Sequence, residues 1–314
     1  MLRTAKNTHW YTRNGEPFYE IENKSKPGEM RSPTVRDARK LGLVPSVTGI
    51  CDMVAKHGLQ DWKYDQYINA AVQVTEERRE AGAAVTDTEG KILKSVYDII
   101  VERGQFIAAA AANLGGRVHD GILDCWLKDQ TIPQDLEIES YIMTYIKWHG
   151  ENVGLFHFAE RPFAVANKYG GRVDMAFSST GDGLVIADLK TRKTKEGKKI
   201  PTYITDGYQL EAYCKGVYPH KRKIKLWNII ISTTEPGRIE VVDWTPRRSE
   251  LWRGFKACYE LWVQEHNYDP RTWKPKEEKK AGDLDMCTGC GSHLAESGGK
   301  CQPCLDYQEH QSIR

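Results

Sequence analysis

The stretch that decides the fold runs from Gly170 to Lys193 and reads GGRVDMAFSSTGDGLVIADLKTRK. Two apolar runs, RVDMAFSS and GLVIADLKT, flank the turn sequence TGDG, so the pattern predicts a β-hairpin. Asp174, Asp188 and Lys190 lie inside its strands, where a buried charge is costly unless it is paired. These three residues form either a surface ion pair or a metal site.

Whether the three charges converge depends on the length of the turn. Side chains alternate along a strand, so Asp188 and Lys190 share one face. A two-residue turn would put Asp174 on the opposite face from Asp188. A three-residue turn, with Gly183 in the left-handed conformation, would pair Asp174 with Lys190 and place it diagonal to Asp188. A convergent site therefore requires an odd turn or a bulge.

Two carboxylates beside a lysine suit metal-assisted hydrolysis of phosphodiester bonds. The acids would hold Mg²⁺, which polarises a phosphate and lowers the pKa of a bound water, while the ammonium orients the nucleophile or offsets negative charge. The alternative is a surface ion pair worth at most about 1 kcal/mol. Because Asp-x-Lys is a common tripeptide, other parts of the sequence are needed to choose between the ion pair and the metal site.

The composition is that of an ordinary globular protein. The chain has 314 residues, of which 40% are hydrophobic and 28% charged, with a net charge of +2. This net charge favours no class of partner. No apolar run approaches the roughly 18 residues that span a bilayer, and the N-terminus lacks the apolar core of a secretory signal. We expect a cytoplasmic protein that does not associate with membranes.

The order of elements predicts an α/β fold. Helical spacing dominates residues 46–150, and β-rich runs begin near residue 153. A helical stretch (TDGYQLEAYCKGVY), two strands (KIKLWNIIIST and RIEVVDW) and an amphipathic helix (TPRRSELWRGFKACYELWVQEHN) follow. This arrangement indicates an α/β core over about residues 151–267 with a helical N-terminal layer, and a charged linker over residues 268–286.

Four of the eight cysteines lie together near the C-terminus, in the sequence CTGCGSHLAESGGKCQPC. Two C-x₂-C pairs separated by ten residues are typical of a tetrahedral zinc site. The cysteines are Cys287, Cys290, Cys301 and Cys304. We expect a zinc-ribbon-like module over residues 287–314 that binds a structural Zn²⁺ and serves DNA contact, partner binding or folding alone.

Five short sequence elements follow one another between residues 45 and 213: P-S-V-T, G-x-x-H, G-x-x-D, D-x-K-T and Q-x-x-x-Y. In this chain they are Pro45–Thr48, Gly116–His119, Gly171–Asp174, Asp188–Thr191 and Gln209–Tyr213. Their order and spacing resemble the PD-(D/E)xK nuclease superfamily. More narrowly, they resemble its RecB-like branch, which includes phage exonucleases and CRISPR-adaptation nucleases.

The resemblance implies a restriction-endonuclease-like core, with a mixed central sheet flanked by helices, within residues 1–267. It also implies a catalytic Mg²⁺ or Mn²⁺. The implied ligands are His119, Asp174, Asp188 and the backbone carbonyl of Leu189. A single histidine in a helix is more often structural than metal-binding. The G-x-x-H setting nevertheless favours a metal-ligand role for His119.

The remaining site residues also take their roles from the resemblance. Lys190 would be the catalytic lysine. Gln209 and Tyr213, at i and i+4, project from one helical face and would position the scissile phosphate or support the metal shell. By themselves they would be ordinary residues of an amphipathic helix. Glu160 would hydrogen-bond into that shell, with a surface strand acid as the alternative.

Basic residues directly follow the D-x-K-T element. Arg192, Lys193 and Lys195 lie in the run TRKTKEGKK, and a second run, HKRKIK, precedes a later strand. Clustered positive charge without base readout is typical of a protein that binds the DNA backbone, although solvated loop charge is the ordinary alternative. Ser46 and Thr48 would either contact phosphate or cap a helix.

The resemblance implies a DNA nuclease, most directly an exonuclease of recombination, repair or phage DNA processing in a bacterial or phage-infected cell. A structure-specific or nicking endonuclease on the same core is the alternative within the enzyme class. A non-catalytic DNA-binding or partner-recruiting protein is the alternative from another class, and the intact Asp174, Asp188 and Lys190 argue against it. The family association adds a single-strand annealing protein as a partner and leaves a homo-oligomer open.

Overall fold

The computed structural model describes residues 10–127, 135–165, 167–181, 183–221 and 223–275. The chain divides into two units, Met1–Thr272 and Trp273–Arg314, and the described helices and strands lie in the first. The four cysteines expected to bind zinc, and the linker beyond residue 275, lie outside the described residues. Within the described part of the chain, no helix has the length and apolarity that a membrane span requires.

Short elements make up the N-terminal part of the fold. Strand β1 (Trp10–Tyr11) lies between β2 (Pro17–Phe18) and β5 (Val44–Pro45) in an antiparallel sheet, and β3 (Ile21–Glu22) pairs with β4 (Met30–Arg31). The short helices are α1 (Val35–Leu41) and α2 (Val47–Cys51), and the long ones are α3 (His57–Glu80), α4 (Lys94–Leu127) and α5 (Glu139–Asn152). The helical layer expected before residue 150 is therefore confirmed.

The core is a five-stranded mixed sheet. Its strands are β6 (Val153–Val165), β7 (Tyr169–Ser179), β8 (Leu184–Arg192), β9 (Ile224–Ser232) and β10 (Ile239–Asp243), in the spatial order β10-β9-β8-β7-β6. Among the described strand pairs of this sheet, β8–β9 is parallel and the other three are antiparallel. A parallel pair needs a crossover, and helix α6 (Ile204–Val217) lies in that connection. Two single 3₁₀ turns, Thr245–Arg247 and Pro270–Thr272, flank helix α7 (Arg248–His266).

Helices cover both faces of this sheet. Ala176 and Ile186 pack in an apolar cluster with residues of α2, α6 and α7. Met175, Phe177 and Val185 pack in a second cluster with residues of α4 and α5. Strands that are buried on both faces read as almost continuous apolar runs, which is why Asp188 in the middle of β8 is conspicuous.

The hairpin of β7 and β8 has an odd turn, as convergence of its charges requires, but its register differs from the expected one. Met175 pairs with Ala187, and the N–H of Ser179 donates to the carbonyl of Gly183 at 3.1 Å. Gly183 has the expected positive φ of 98° but closes the hairpin instead of lying within the turn. The register is therefore displaced, and its continuation by one residue beyond Met175 and Ala187 puts Asp174 opposite Asp188 instead of Lys190. The pairing of Asp174 with Lys190 was wrong for this reason.

Candidate metal centre

A cavity of about 630 Å³ opens at the junction of the sheet with α3, α4 and α6. Its lining includes nine residues that the sequence singles out. They are Thr48, His119, Glu160, Asp174, Asp188, Leu189, Lys190, Gln209 and Tyr213. Residues that are far apart in the chain, from α2 to α6, thus meet at one place.

One side of the cavity gathers metal-ligand atoms. His119 Nε2 lies 3.1 Å from Asp174 Oδ2 and 3.9 Å from Glu160 Oε1. Among the described residues, these three side chains form a group whose ligand atoms all lie within 4.8 Å of one another. Each side chain is less than a fifth exposed. We call this trio the His119 half of the site.

Glu160 belongs to this half, although the sequence predicted only that it would hydrogen-bond to the metal ligands. Its backbone has a φ of 49°, in the left-handed region that a residue with a side chain rarely adopts. Such strain costs on the order of 1–3 kcal/mol and is concentrated at functional sites. Arg172, from the G-x-x-D element, holds the Glu160 carboxylate with an Nε to Oε2 distance of 2.6 Å. The strained backbone and this ion pair together fix where the carboxylate lies.

The other side of the cavity surrounds Asp188, whose side chain is only 1% exposed. Lys190 Nζ lies 2.8 Å from its Oδ1 and 2.6 Å from its Oδ2. Gln209 donates to Oδ1 at 2.8 Å, and Asn228 donates to Oδ2 at 2.7 Å. We call these four residues the Asp188 half. Donors occupy both oxygens of Asp188, and it does not belong to the trio of the His119 half; its role as a metal ligand stays a prediction.

Two further contacts complete the Asp188 half. Gln209 also donates to the hydroxyl of Tyr213 at 2.9 Å, which agrees with their predicted position on one helical face. The Trp244 indole N–H donates to Asn228 Oδ1 at 2.7 Å. This second bond fixes the orientation of the Asn228 amide, so that its NH₂ group has to face Asp188.

The charges in the cavity shift one another's pKa. Burial would lower the pKa of His119, but Asp174, Asp120 and Glu160 raise it to about 10. Burial would raise the pKa of Asp174, and His119, followed by Lys190, lowers it below its usual range. Burial raises the pKa of Asp188, with Lys190 opposing this shift. His119 and Asp174 therefore form an ion pair at neutral pH.

Lys190 and Tyr213 both hold their protons. Burial would lower the pKa of Lys190, but Asp188, Asp174 and Asp206 raise it. Burial raises the pKa of Tyr213 well above its usual value, and the two aspartates add to the effect. At neutral pH the cavity therefore contains an ammonium and a phenol that can donate hydrogen bonds.

Two glycines, one within and one beside a predicted motif, allow this close packing. A Cβ on Gly171 would lie 2.8 Å from the Tyr213 ring, so glycine lets that ring approach β7. A Cβ on Gly115, beside the G-x-x-H element, would lie 2.7 Å from Thr191 Oγ1. Glycine here lets α4 approach β8, and His119 follows one turn later.

Leu189, Ser46 and Thr48 contribute in different ways. The backbone N–H of Leu189 donates to Asp174 Oδ2 at 3.0 Å, and a metal-binding role of its carbonyl stays a prediction. Ser46 is buried and caps α2 by accepting from the N–H of Gly49 at 3.0 Å. Thr48 lies 3.1 Å from the Ser46 hydroxyl and lines the cavity. The geometry thus gives Ser46 the capping role and brings Thr48 within reach of a ligand.

The basic residues after the D-x-K-T element are placed outside the cavity lining. Arg192 forms an ion pair with Asp206, donates to the carbonyl of Pro201 and lies over the Tyr203 ring at 4.7 Å. Lys193 and Lys195 are exposed. Arg192 is thus engaged by the protein itself, and DNA contacts of the two lysines stay a prediction.

Sequence reasoning missed Asn228, Trp244 and Arg172. Asn228 had a signal, since it is the polar residue within the apolar run LWNIII of a predicted strand. Arg172 lies inside the G-x-x-D element, at an unspecified position of the motif. Trp244 had no signal, because nothing in the sequence connects its indole with a residue on a neighbouring strand.

Comparison with known proteins adds little to this geometry. No protein-family model matches the chain, and no curated protein does so either. A solved structure titled "Crystal structure of SSO0001" aligns with 37% of this chain at 16% identity and a TM-score of 0.21. The aligned part spans 56% of that structure's own chain. A likeness at this level carries no argument, so a function has to be inferred from the site.

Proposed function

We propose that this chain is a metal-dependent DNA nuclease of the RecB-like PD-(D/E)xK type, acting first of all as an exonuclease. The observation that carries the proposal is the meeting, in one cavity, of the His119 half with the buried Asp188–Lys190 pair. A five-stranded mixed sheet with a crossover helix beside the site supports the restriction-endonuclease-like core. The zinc ribbon remains a prediction.

The residues of the His119 half fit a divalent cation. Two carboxylates are the ligands that Mg²⁺ and Mn²⁺ prefer, whereas an imidazole is more usual for transition metals, so the mixed set favours Mn²⁺ over Mg²⁺. His119 has to lose its proton before it can act as a ligand. A bound cation of this kind would polarise the phosphate and lower the pKa of an attacking water.

The residues of the Asp188 half would act on the substrate directly. The Lys190 ammonium, held by Asp188, would stabilise the negative charge that develops on the phosphate or orient the attacking water. Gln209 positions the Tyr213 hydroxyl by donating to its oxygen, which leaves the phenolic proton to be donated to a phosphate oxygen. Lys190 and Tyr213 would together bind and orient one phosphate within a preformed pocket.

A nuclease assay tests this proposal. Wild-type protein would be incubated with end-labelled linear DNA and with closed circular DNA, in Mn²⁺, in Mg²⁺ or in EDTA. We expect metal-dependent loss of the linear substrate, and nearly none with Lys190→Ala. Lys147→Ala, an exposed lysine of α5, is the matched control and should retain full activity.

The substrates also separate the alternatives. Cleavage of circular DNA would indicate an endonuclease on the same core. If wild type and Lys190→Ala degraded neither substrate in any metal, the catalytic proposal would fail and a non-catalytic DNA-binding protein would be favoured.

A further inference from the structure

A second surface lies on the far side of α6 from the candidate metal centre. Gln209 contacts Asp188, and Tyr213 lines the metal-centre cavity. Glu211 and Lys215 project from the opposite side of the helix, because positions two apart are rotated by roughly 200°. They line a separate cavity of about 540 Å³. A ligand bound there would not reach the reacting atoms.

This cavity is positively charged. Lys215, His220, Lys221 and Arg248 line it, and Glu211 is the acid in its lining. The Glu211 carboxylate is 2% exposed and already holds Arg248 Nε at 2.6 Å and Lys215 Nζ at 3.8 Å. Since internal partners neutralise this acid, the cavity presents a net positive charge and is complementary to an anion. Part of the basic run HKRKIK lies here and does not line the metal-centre cavity.

An apolar cavity of about 270 Å³ adjoins the cationic one. Lys215 and Trp252 line both cavities and mark their border. The aromatic walls of the smaller cavity come from Tyr169, Phe255 and Tyr259, which are themselves almost fully buried. Lys168, Lys256 and Arg271 also line the smaller cavity, so the two cavities together form a docking surface that is cationic along its length and has aromatic walls at one end.

We propose that this docking surface binds an acidic peptide segment of a partner protein, one that also carries an apolar side chain. The carboxylates of the segment would meet Lys215 and Lys221, and its apolar side chain would enter the aromatic cavity. Trp252 and Arg248 both line the cationic cavity, and tryptophan and arginine are enriched in binding hot spots. This role is independent of hydrolysis and of the proposed nuclease function.

A single strand of nucleic acid suits the docking surface less well. Glu260, the acid in the lining of the apolar cavity, is paired with Arg271 at 2.7 Å, so charge alone does not separate a phosphate from a carboxylate, and the aromatic rings decide. The Trp252 ring already has Phe255 stacked on it, with centroids 5.8 Å apart, and the Lys215 ammonium 5.9 Å from its centroid. These neighbours restrict the ring face on which a base would stack.

Fluorescence anisotropy with a labelled peptide tests the proposal. The probe is Gly-Asp-Glu-Asp-Asp-Leu-Phe, and two matched probes replace either Leu-Phe by Ser-Ser or the acids by their amides. We expect the full probe to bind about tenfold more tightly than either matched probe, because each end of the surface contributes. Lys215→Glu with Lys221→Glu, and separately Trp252→Ala, should weaken the full probe about tenfold. Lys147→Glu on α5 is the control and should not change binding.

Two results would overturn the docking proposal. One is equal binding of the full probe by wild type and by both folded variants, with folding checked by circular dichroism. The other is a labelled single-stranded oligonucleotide that binds more tightly than the peptide and loses binding in the same variants, which would assign the surface to nucleic acid. Nuclease activity is measured on each variant in parallel, and it should stay at the wild-type level, whatever that level is.

Discussion

The two halves of the candidate site hold their carboxylates in different ways. Asp188 accepts hydrogen bonds from Lys190, Gln209 and Asn228, so its charge is balanced by the protein. In the His119 half, two carboxylates converge with an imidazole on one point, and Arg172 and the protonated His119 offset their charge. The first half is complete as it stands, whereas the second presents three electron-pair donors that suit a cation once His119 has lost its proton. We infer that binding a metal and orienting the phosphate are divided between them.

The largest effect is expected from Asp174→Asn, which removes a carboxylate from the centre of the His119 half. A bound metal contributes several kcal/mol to transition-state stabilisation, so kcat/KM in Mn²⁺ should fall by about a thousandfold. Mn²⁺ binding, measured by isothermal titration calorimetry, should fall with it. Asp120→Asn is the matched control, because Asp120 lies 3.6 Å from His119 Nδ1 but does not line the cavity. An equal loss in both variants would contradict the assignment of this half.

The variant Lys190→Met tests whether the two halves have separate roles. It removes the ammonium and keeps a similar aliphatic stem, so kcat should fall about a hundredfold through lost charge stabilisation. Mn²⁺ affinity should stay within a few-fold of the wild-type value, because the His119 half is intact. A parallel loss of rate and Mn²⁺ affinity in calorimetry would show that the halves are not distinct.

Trp244→Phe should have a smaller effect on the Asp188 half. The ring is kept, but the N–H that orients Asn228 is lost, and Asn228 can then turn its carbonyl oxygen toward Asp188. We expect kcat/KM to fall about tenfold, with Mn²⁺ affinity unchanged. Trp227→Phe is the matched control, since the buried Trp227 N–H has no hydrogen-bond partner within the described structure. Equal kcat/KM values for the two variants would show that the orientation of Asn228 does not affect catalysis.

The last prediction concerns stability instead of rate, namely a pH dependence of the free energy of unfolding of the metal-free protein. The pKa of His119 is raised from 6.5 to about 10, so its ion pair with Asp174 stabilises the fold fully below about pH 6.5. This contribution should be lost as the pH rises through about 10. The free energy of unfolding of Asp174→Asn, measured by urea titration in EDTA, should therefore approach that of wild type as the pH rises. A difference that is constant from about pH 6 to about pH 10 would contradict the protonated His119.

The sequence predicts the hairpin of the site better than the contacts that cross between elements. Alternation along β7 and β8 puts Asp174 and Asp188 on one face once the turn is odd. The actual register could not be read from the sequence, because it depends on whether Gly183 lies in the turn or closes it. Similarly, the α/β class follows from the order of elements, whereas the parallel β8–β9 pair follows from the path of the chain through α6.

The same limit explains the residues that were missed. Gln209 and Tyr213 are predictable because they lie one helical turn apart, within a short motif. The link from Trp244 to Asn228 joins residues sixteen positions apart, and it exists only because their side chains are buried together. The left-handed backbone conformation of Glu160 cannot be predicted from its residue type.

An anomalous difference map from a crystal of the protein soaked in MnCl₂ tests the division between the two halves most directly. We expect a peak within coordination distance of His119 Nε2, Glu160 and Asp174, with Lys190 still bonded to Asp188. At a saturating Mn²⁺ concentration, a peak elsewhere in the chain and none at this trio would contradict the account.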